Sequence, residues 1–312
     1  MKVIYGLENF KELPKKIVVA IGIFDGVHLG HKSIIESAIK RAKTLKGKSA
    51  VITFKPHPLK VLQPNKPIPL LMSTTHRIRL IDRLGVDLCL VLKFNKRLSN
   101  LSPRHFINKI LIDKFKASEI CVGSDFIFGK NGSGNVNLLK KFGRRYGFKV
   151  SVIPMVRIGG RTVSSTLIRN LVMKGRFKEA SRMLGRPVTI FGTVVKGAHR
   201  GKILGYPTAN IDPHHEAIPP SGVYAVRVRL KKKRYGGALF IGKRRTFGES
   251  EPVIEAHIFS FSSLIYGEHI EVEFVKKLRE AKKFPSHQEL VEQIKKDDIA
   301  IRKILSRLSF TF

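Results

Sequence analysis

A chain of 312 residues, 43% of them apolar, is long enough for two hydrophobic cores, and none of its apolar runs is long enough to cross a membrane. Its two cysteines, Cys89 and Cys121, sit in apolar strand-like runs, which argues against a disulfide framework or a zinc site; Met1-Lys2-Val3-Ile4-Tyr5-Gly6 carries no signal-peptide pattern, so a reducing cytoplasm is the expected location. The balance of 59 Lys and Arg against 23 Asp and Glu, a formal +36, favours polyanions, either nucleic acid or substrates with several phosphates. The basic residues are spread along the chain, however. Only Lys231-Lys232-Lys233-Arg234 is compact, and it reads as a solvated hairpin tip. At most weak, non-specific nucleic-acid binding is expected and no membrane partner; no feature sets an oligomeric state.

The first predicted strand is the continuous apolar run that starts at Ile17. It breaks at Gly22-Ile23-Phe24-Asp25-Gly26-Val27-His28-Leu29-Gly30-His31 and feeds a helix over 32–45, where Ile34, Ile35, Ala38, Ile39, Ala42 and Leu45 recur at helical spacing. A helix start behind a buried strand holds free N–H groups and the positive end of the dipole, which favours phosphate. Gly22, Gly26 and Gly30 permit close backbone approach, and His28 and His31 add donors for a developing phosphate charge. No G-x-x-x-x-G-K-[ST] pattern occurs, so this is not a P-loop. The H-x-G-H spacing resembles the nucleotidyltransferase superfamily. There, one substrate's phosphate attacks the α-phosphate of a nucleoside triphosphate, pyrophosphate leaves, and no covalent enzyme intermediate forms.

A strand follows over 49–54, ended by Lys55-Pro56-His57-Pro58, since two prolines exclude regular pairing. A Pro-rich loop, a helix over 74–84 and an apolar strand over 86–94 come next. Ser102-Pro103 is a helix start, an N-cap followed by Pro at the first helical position. Then come a strand over 120–123, a flexible glycine-rich loop over 129–134, a helix over 135–146 and a strand over 148–155. This alternation predicts a parallel sheet with helices on both faces and ligands at the carboxyl ends of its strands. The H-x-G-H turn, the P-H-P turn and the 123–134 loop all follow strands, so they can converge. In Val163-Ser164-Ser165-Thr166-Leu167-Ile168-Arg169 either serine can cap the next helix. Arg169 near a helix N-terminus conflicts with the dipole unless an anion bridges them. A short helix over 177–184 precedes Gly185-Arg186-Pro187, the expected domain boundary.

Past that point short β-rich runs at 188–195, 222–230, 235–241, 253–261 and 270–275 follow one another without helices. They predict an antiparallel barrel or sandwich. A final helix over 286–308 carries Leu290, Ile294, Ile301, Ile304 and Leu308 as one stripe, expected to dock on the barrel. The segment 197–210 begins with basic, glycine-bearing residues suited to a polyphosphate and ends in Gly205-Tyr206-Pro207-Thr208-Ala209-Asn210. Thr208 and Asn210 point to one side of an extended backbone and suit a hard Mg²⁺ ion. Glu255 faces the same way as Val253 and Phe259 in a run apolar on both parities. Two readings are open: a buried general base with a raised pKa, or an edge-strand charge paired with a lysine.

Taken together these motifs resemble the bacterial bifunctional riboflavin kinase/FAD synthetase family. The first half matches through the H-x-G-H stretch, Thr53-Phe54-Lys55-Pro56-His57-Pro58, Gly123-Ser124-Asp125-Phe126-Ile127-Phe128-Gly129 and Ser164-Ser165-Thr166-Leu167-Ile168-Arg169. The second matches through Gly205-Tyr206-Pro207-Thr208-Ala209-Asn210, Gly222-Val223-Tyr224, Glu255-Ala256-His257, Tyr266-Gly267 and Leu278-Arg279. Order and spacing agree over nearly the whole chain. The resemblance implies an α/β architecture: a Rossmann-like nucleotidyltransferase domain with a parallel sheet over 1–184, and a small antiparallel riboflavin kinase barrel with a C-terminal helix over 185–312. It implies ATP-dependent phosphorylation of riboflavin to FMN, then adenylylation of FMN to FAD, with Mg²⁺ as cofactor. His28 and His31 would stabilise the α-phosphate transition state. Gly22, Phe24, Asp25, Gly30, His57, Ser164, Ser165 and Arg169 would line the ATP phosphates, and Gly205 those of the kinase. Asp125, Phe126, Phe128 and Arg279 would border flavin. Thr208 and Asn210 would hold the metal–nucleotide, and Glu255 would deprotonate the ribityl 5′-hydroxyl.

One stretch departs from the family pattern. Where relatives read Asn-Ile-Gly-x-x-Pro-Thr-Phe, this chain reads Phe240-Ile241-Gly242-Lys243-Arg244-Arg245-Thr246-Phe247. Phe240 replaces an amide and Arg245 a proline, so weakened substrate binding in the kinase is expected. Three other readings explain less. A nicotinamide or choline-phosphate nucleotidyltransferase leaves the second half unexplained. A class I aminoacyl-tRNA synthetase would be longer and carry K-M-S-K-S. A nucleic-acid-binding protein accounts for the charge but not for the phosphate turns.

Overall fold

In the computed structural model, residues 1–9, 16–197, 205–215, 217–246 and 249–307 are described, the side chains of 243–246 and 249–252 excepted. Contacts divide the chain into two units: Met1–Pro69 with Thr74–Ser165, and Leu70–Ser73 with Thr166–Phe312. The sequence pattern changes from helices to strands later, at Gly185.

The first unit is built on six parallel strands, β1 (Lys2–Tyr5), β2 (Ile17–Ile21), β3 (Lys48–Lys55), β4 (Leu88–Lys93), β5 (Ala117–Gly123) and β8 (Lys149–Ile153), in the order β1-β4-β3-β2-β5-β8. Every residue of β2 is buried, which is why its sequence is apolar without alternation. From β2 the chain winds through β3 and β4 to one side and through β5 and β8 to the other. The strand order therefore reverses between β2 and β5, the place where open α/β sheets put their ligands, beyond the carboxyl ends of the strands. Helix α1 (Leu29–Thr44) leaves the end of β2 and buries Ile35, Ala38 and Ala42. The short helix α2 (Pro58–Leu62) leaves β3, and α3 (Thr74–Arg83) precedes β4. Helices α4 (Lys96–Ser99) and α5 (Pro103–Phe106) follow β4, with Ser102 capping α5 as its sequence predicts; a π-helical stretch, Ile107–Lys114, continues α5.

The glycine-rich stretch after β5 is not an open loop. Strands β6 (Ile127–Phe128) and β7 (Gly134–Asn135) pair antiparallel across it. Gly134 allows this because a Cβ there would stand 2.8 Å from the Phe128 ring and carbonyl. Asn135 then caps α6 (Val136–Tyr146), its side-chain oxygen accepting from the Leu138 N–H. A small ladder of β9 (Arg157–Ile158) and β10 (Arg161–Thr162) leads to α7 (Ser165–Met173).

In the second unit α8 (Phe177–Leu184) is followed by a closed antiparallel barrel of β11 (Thr189–Val195), β12 (Ala209–Asp212), β15 (Glu249–Ile258), β14 (Lys233–Thr246), β13 (Gly222–Leu230) and β16 (His269–Arg279). Tyr224, Val226 and Val228 alternate into its core, with Phe274 opposite Val226 and Val272 opposite Val228. Phe177 of α8 joins them, its ring 4.9 Å from Phe274 and 5.7 Å from Tyr224. Part of the barrel's outer face is covered by α9 (His287–Arg307), where Ile301, Ile304 and Leu305 pack on Val223, Ala225 and Phe259. Leu308, the last member of the predicted stripe, lies outside the described residues. Both cysteines are free and buried; burial pushes the Cys89 thiol up to about 12 and that of Cys121 to about 11, so neither is a thiolate at neutral pH.

Candidate active sites

In the first unit the site begins where β2 stops. Phe24, Gly26 and Val27 all have positive φ (56°, 92° and 38°), so three of four consecutive residues are left-handed, two of them with side chains. The surroundings hold this turn. Phe24 is fully buried, and Gly22 leaves room for its ring, since a Cβ at 22 would come within 2.8 Å of it. The Ile23 carbonyl accepts two hydrogen bonds, from Thr53 Oγ1 (2.9 Å) and Arg77 Nη1 (2.6 Å). The turn delivers His28 as the N-cap of α1, with Nδ1 accepting from the His31 N–H at 3.3 Å. The two imidazoles stack, centroids 3.6 Å apart and planes 17° from parallel, and Phe24 meets His31 edge-on. Gly30 permits the stack, because a Cβ there would stand 3.3 Å from the His28 ring.

His57 repeats the device on the neighbouring strand. It caps α2, and its Nδ1 accepts from the Leu59 N–H at 3.2 Å. A neutral imidazole that accepts through Nδ1 carries its proton on Nε2, so both His28 and His57 are held as Nε2–H donors. Asp25 is buried, and its carbonyl accepts from Ser165 Oγ at 2.7 Å, which ties the head of α7 to the same turn. Ser164 precedes that helix and Arg169 lies one turn along it. Beyond β5, Asp125 is exposed and folds back over Gly123, where a Cβ would meet its Oδ1 at 2.8 Å and Ile34 of α1 at 3.5 Å. Phe126 stacks on Phe128 at 5.3 Å, and Phe128 is sunk in the core against Phe106. The H-x-G-H turn and the Ser164–Ser165 step are thus joined by a hydrogen bond, and the β5 exit reaches α1.

The sequence reading missed Arg77 and Thr53. Arg77 of α3 is 5% exposed and donates to the carbonyls of Ile23 and Phe54 at once. Its signal was a charge on the helical face shared by Leu80, Ile81 and Leu84.

In the second unit, strand register makes the site. Asn210 of β12 is directly opposite Glu255 of β15, and Phe240 of β14 is opposite Glu255 on its other side. Directly opposed residues share a face, so Asn210, Glu255 and Phe240 form one row across three strands. Of the two readings of Glu255, the fully buried one is corrected here. Ile254, Ala256 and Ile258 face the core, whereas Val253, Glu255 and His257 lie on the half-exposed outer face. The run reads as apolar on both parities because Phe259, on the outer face, is covered by α9. Beside the row, the His257 ring nitrogen Nδ1 is 2.8 Å from the Pro207 carbonyl and its ring meets Tyr206 edge-on, which anchors the segment carrying Thr208 and Asn210. Gly197 borders the Asn210 amide so closely that a Cβ would stand 2.0 Å from Nδ2. Gly205 adopts φ 79° with open space where a Cβ would go. Residues 198–204 of the expected phosphate-wrapping segment lie outside the described residues, as do the Arg245 side chain and Phe247.

Arg279 ends β16 and is not in a loop. Its Nε and Nη2 grip Asp297 of α9 at 2.7–3.0 Å, and Gln293 donates to the same carboxylate. The Phe240 ring lies over Gly242, where a Cβ would meet it at 2.6 Å.

Two family models match the chain: FAD synthetase over residues 10–167 and riboflavin kinase over 184–305. Curated relatives of the same description, bifunctional riboflavin kinase/FMN adenylyltransferase, span almost the whole chain. That of Buchnera aphidicola subsp. Schizaphis graminum is 38% identical over 97% of this chain and 98% of its own, and that of Escherichia coli K12 is 33% identical over 97% of each. A crystal structure of a macrolide-efflux protein from Streptococcus pneumoniae superposes with TM-score 0.84 and 32% identity, covering 97% of this chain and 99% of that one. No helix among the described residues of the present chain is long and apolar enough to cross a membrane.

Proposed function

Because the chain belongs to the bifunctional riboflavin kinase/FMN adenylyltransferase family, an enzyme family of flavin cofactor biosynthesis, we propose that its two units divide the two reactions between the residues described above. Riboflavin is phosphorylated to FMN and FMN is adenylylated to FAD. The observation that carries the division is that each unit holds its own phosphate-directed constellation: the stacked His28 and His31 at the head of α1, and the Asn210–Glu255 pair across β12 and β15.

In the adenylyltransferase, the open N–H groups of α1 and the Nε2–H donors of His28 and His57 meet the ATP phosphates, with His31 stacked behind His28. Gly22, Phe24, Asp25 and Gly30 shape the turn, and Ser164 and Ser165 extend the phosphate site. An FMN phosphate oxygen attacks the α-phosphate in line, the bond to the β-phosphate breaks, and pyrophosphate departs. Phe126 offers an aromatic face to the flavin with Phe128 as its buried support, and Asp125 stands at the rim.

In the kinase, the Glu255 carboxylate takes the proton of the ribityl 5′-hydroxyl as that oxygen attacks the γ-phosphate. Its half-exposed place suits a group that must meet substrate. Gly205 turns the chain beside the phosphates. Thr208 and Asn210 would hold Mg²⁺; their oxygen-bearing side chains fit a hard cation beside phosphates, which it would neutralise when bound. Arg279, oriented by Asp297, borders the flavin side. The cytoplasm, where ATP is made, is the proposed location, with any nucleic-acid binding weak and salt-sensitive.

The test is chromatography of products after incubation with riboflavin, ATP and Mg²⁺. FMN is expected first and FAD after it. Absence of any flavin product from folded protein would contradict the reading.

A further inference from the structure

We propose that Arg77 is a positioning residue for adenylyl transfer: a buried guanidinium that locks the exits of β2 and β3 together and so sets where His28, His31 and His57 stand. The last main-chain bond joining these strands is Gly22 N–H to the Ile52 carbonyl, at 3.1 Å. Beyond it the two chains diverge into their turns, and side chains take over. Nη1 of Arg77 donates to the Ile23 carbonyl at 2.6 Å, Nη2 to the Phe54 carbonyl at 2.8 Å and to Thr74 Oγ1 at 3.3 Å. Ile23 immediately precedes the left-handed turn that ends in His28, and Phe54 is three residues before His57. One planar fork therefore spans the roots of both histidine caps.

The chemistry needs arginine. Two carbonyls on different strands require two donors at a fixed separation, which a guanidinium has and an ammonium lacks. Burial lowers the Arg77 pKa, and the Asp25 carboxylate opposes that fall; a guanidinium is a cation at neutral pH. Thr53 Oγ1 donates to the same Ile23 carbonyl, so that oxygen has both lone pairs engaged. A positive charge thus lies behind the turn that faces phosphate, where it works in the same sense as the helix dipole.

This inference rests on the assignment of His28, His31 and His57 to adenylyl transfer, so the experiment includes a control for that assignment. Full-length Arg77→Lys is assayed for both reactions beside His28→Ala and the double variant. Arg77→Lys is expected to lower kcat for FMN adenylylation about 10- to 100-fold, the scale of an ångström of misplacement. KM for ATP should move less than about threefold, and riboflavin phosphorylation should be unchanged. In the His28→Ala background the same change should cost less than about threefold more, because the two act through one geometry. A merely structural arginine would give losses that multiply. If Arg77→Lys unfolds the first unit, Thr53→Val carries the test by removing the other donor to the same carbonyl, with an expected loss of about fivefold in kcat. A kcat within about twofold of wild type for either folded variant, while His28→Ala loses its activity, overturns the positioning role alone. An unimpaired His28→Ala overturns the site assignment and the positioning role with it.

Discussion

The two proposed phosphate sites rest on opposite structural terms. In the first, a buried turn with three positive φ values presents main-chain N–H groups and two imidazoles within ten residues, held in place by Thr53, Arg77 and Ser165. In the second, Asn210 and Glu255 come from strands 45 residues apart and meet through barrel register, on a face that is half exposed. A site made by a turn is crowded at its glycines: a Cβ at Gly22 would force the Phe24 ring to move, and one at Gly30 would press on the His28 ring at 3.3 Å. A site made by register depends on closure of the whole barrel. This contrast explains why one chain can keep two sites without either dictating the other's local sequence.

The sharpest way to break the contrast is at the two chemical groups. Glu255→Gln should lower riboflavin phosphorylation about 10³-fold, the cost of losing a general base, with FMN adenylylation intact in coupled pyrophosphate-release assays. A smaller effect is expected at Phe240, which stands directly opposite Glu255. Phe240→Asn should lower the kinase KM for riboflavin about threefold, the scale of one neutral hydrogen bond, and leave the other reaction alone. Steady-state kinetics on the full chain would show it.

The smallest effect lies away from both sites. Glu119 is buried in β5 and takes Arg41 Nε at 2.8 and 3.0 Å and Ser151 Oγ at 2.6 Å. Burial pushes its carboxyl up, but the bonds from Arg41 and Ser151 outweigh this, and the net pKa lies below its ordinary 4.5. A depressed folded pKa means stability present in full above the unfolded value and lost as pH falls through the folded one. Melting temperature should therefore drop on acidification below about pH 4.5, and Glu119→Gln should flatten that limb while lowering stability at pH 7.

What could be read from sequence follows the same contrast. The β2 run and the H-x-G-H helix start are local, so spacing alone identified them, and the caps at Ser102 and Asn135 behave as their residue types predict. The α9 stripe was legible, yet Asp297 in its middle was passed over, because a lone acid in an apolar stripe gives no sign of the Arg279 that pairs with it. Glu255 was set on the face it shares with Val253 and Phe259, but whether that face is core stayed open, since α9 makes outer-face Phe259 look like core. Arg77 was hidden for the reason that makes it useful: its partners are main-chain carbonyls, and carbonyls leave no mark in a sequence. The 129–134 stretch looked flexible because glycines can mean freedom or close approach, and here Gly134 means the latter.

The central claim, two reactions on two independent sites, is tested most directly by mixing two inactive proteins. Full-length Glu255→Gln and His28→Ala, each supplied with riboflavin, ATP and Mg²⁺, should separately make no FAD. The first stops at riboflavin and the second accumulates FMN. Mixed together they should make FAD, because FMN released by one is adenylylated by the other. FAD from neither the mixture nor Glu255→Gln supplied with FMN would contradict the account, as would FAD made from riboflavin by either variant alone.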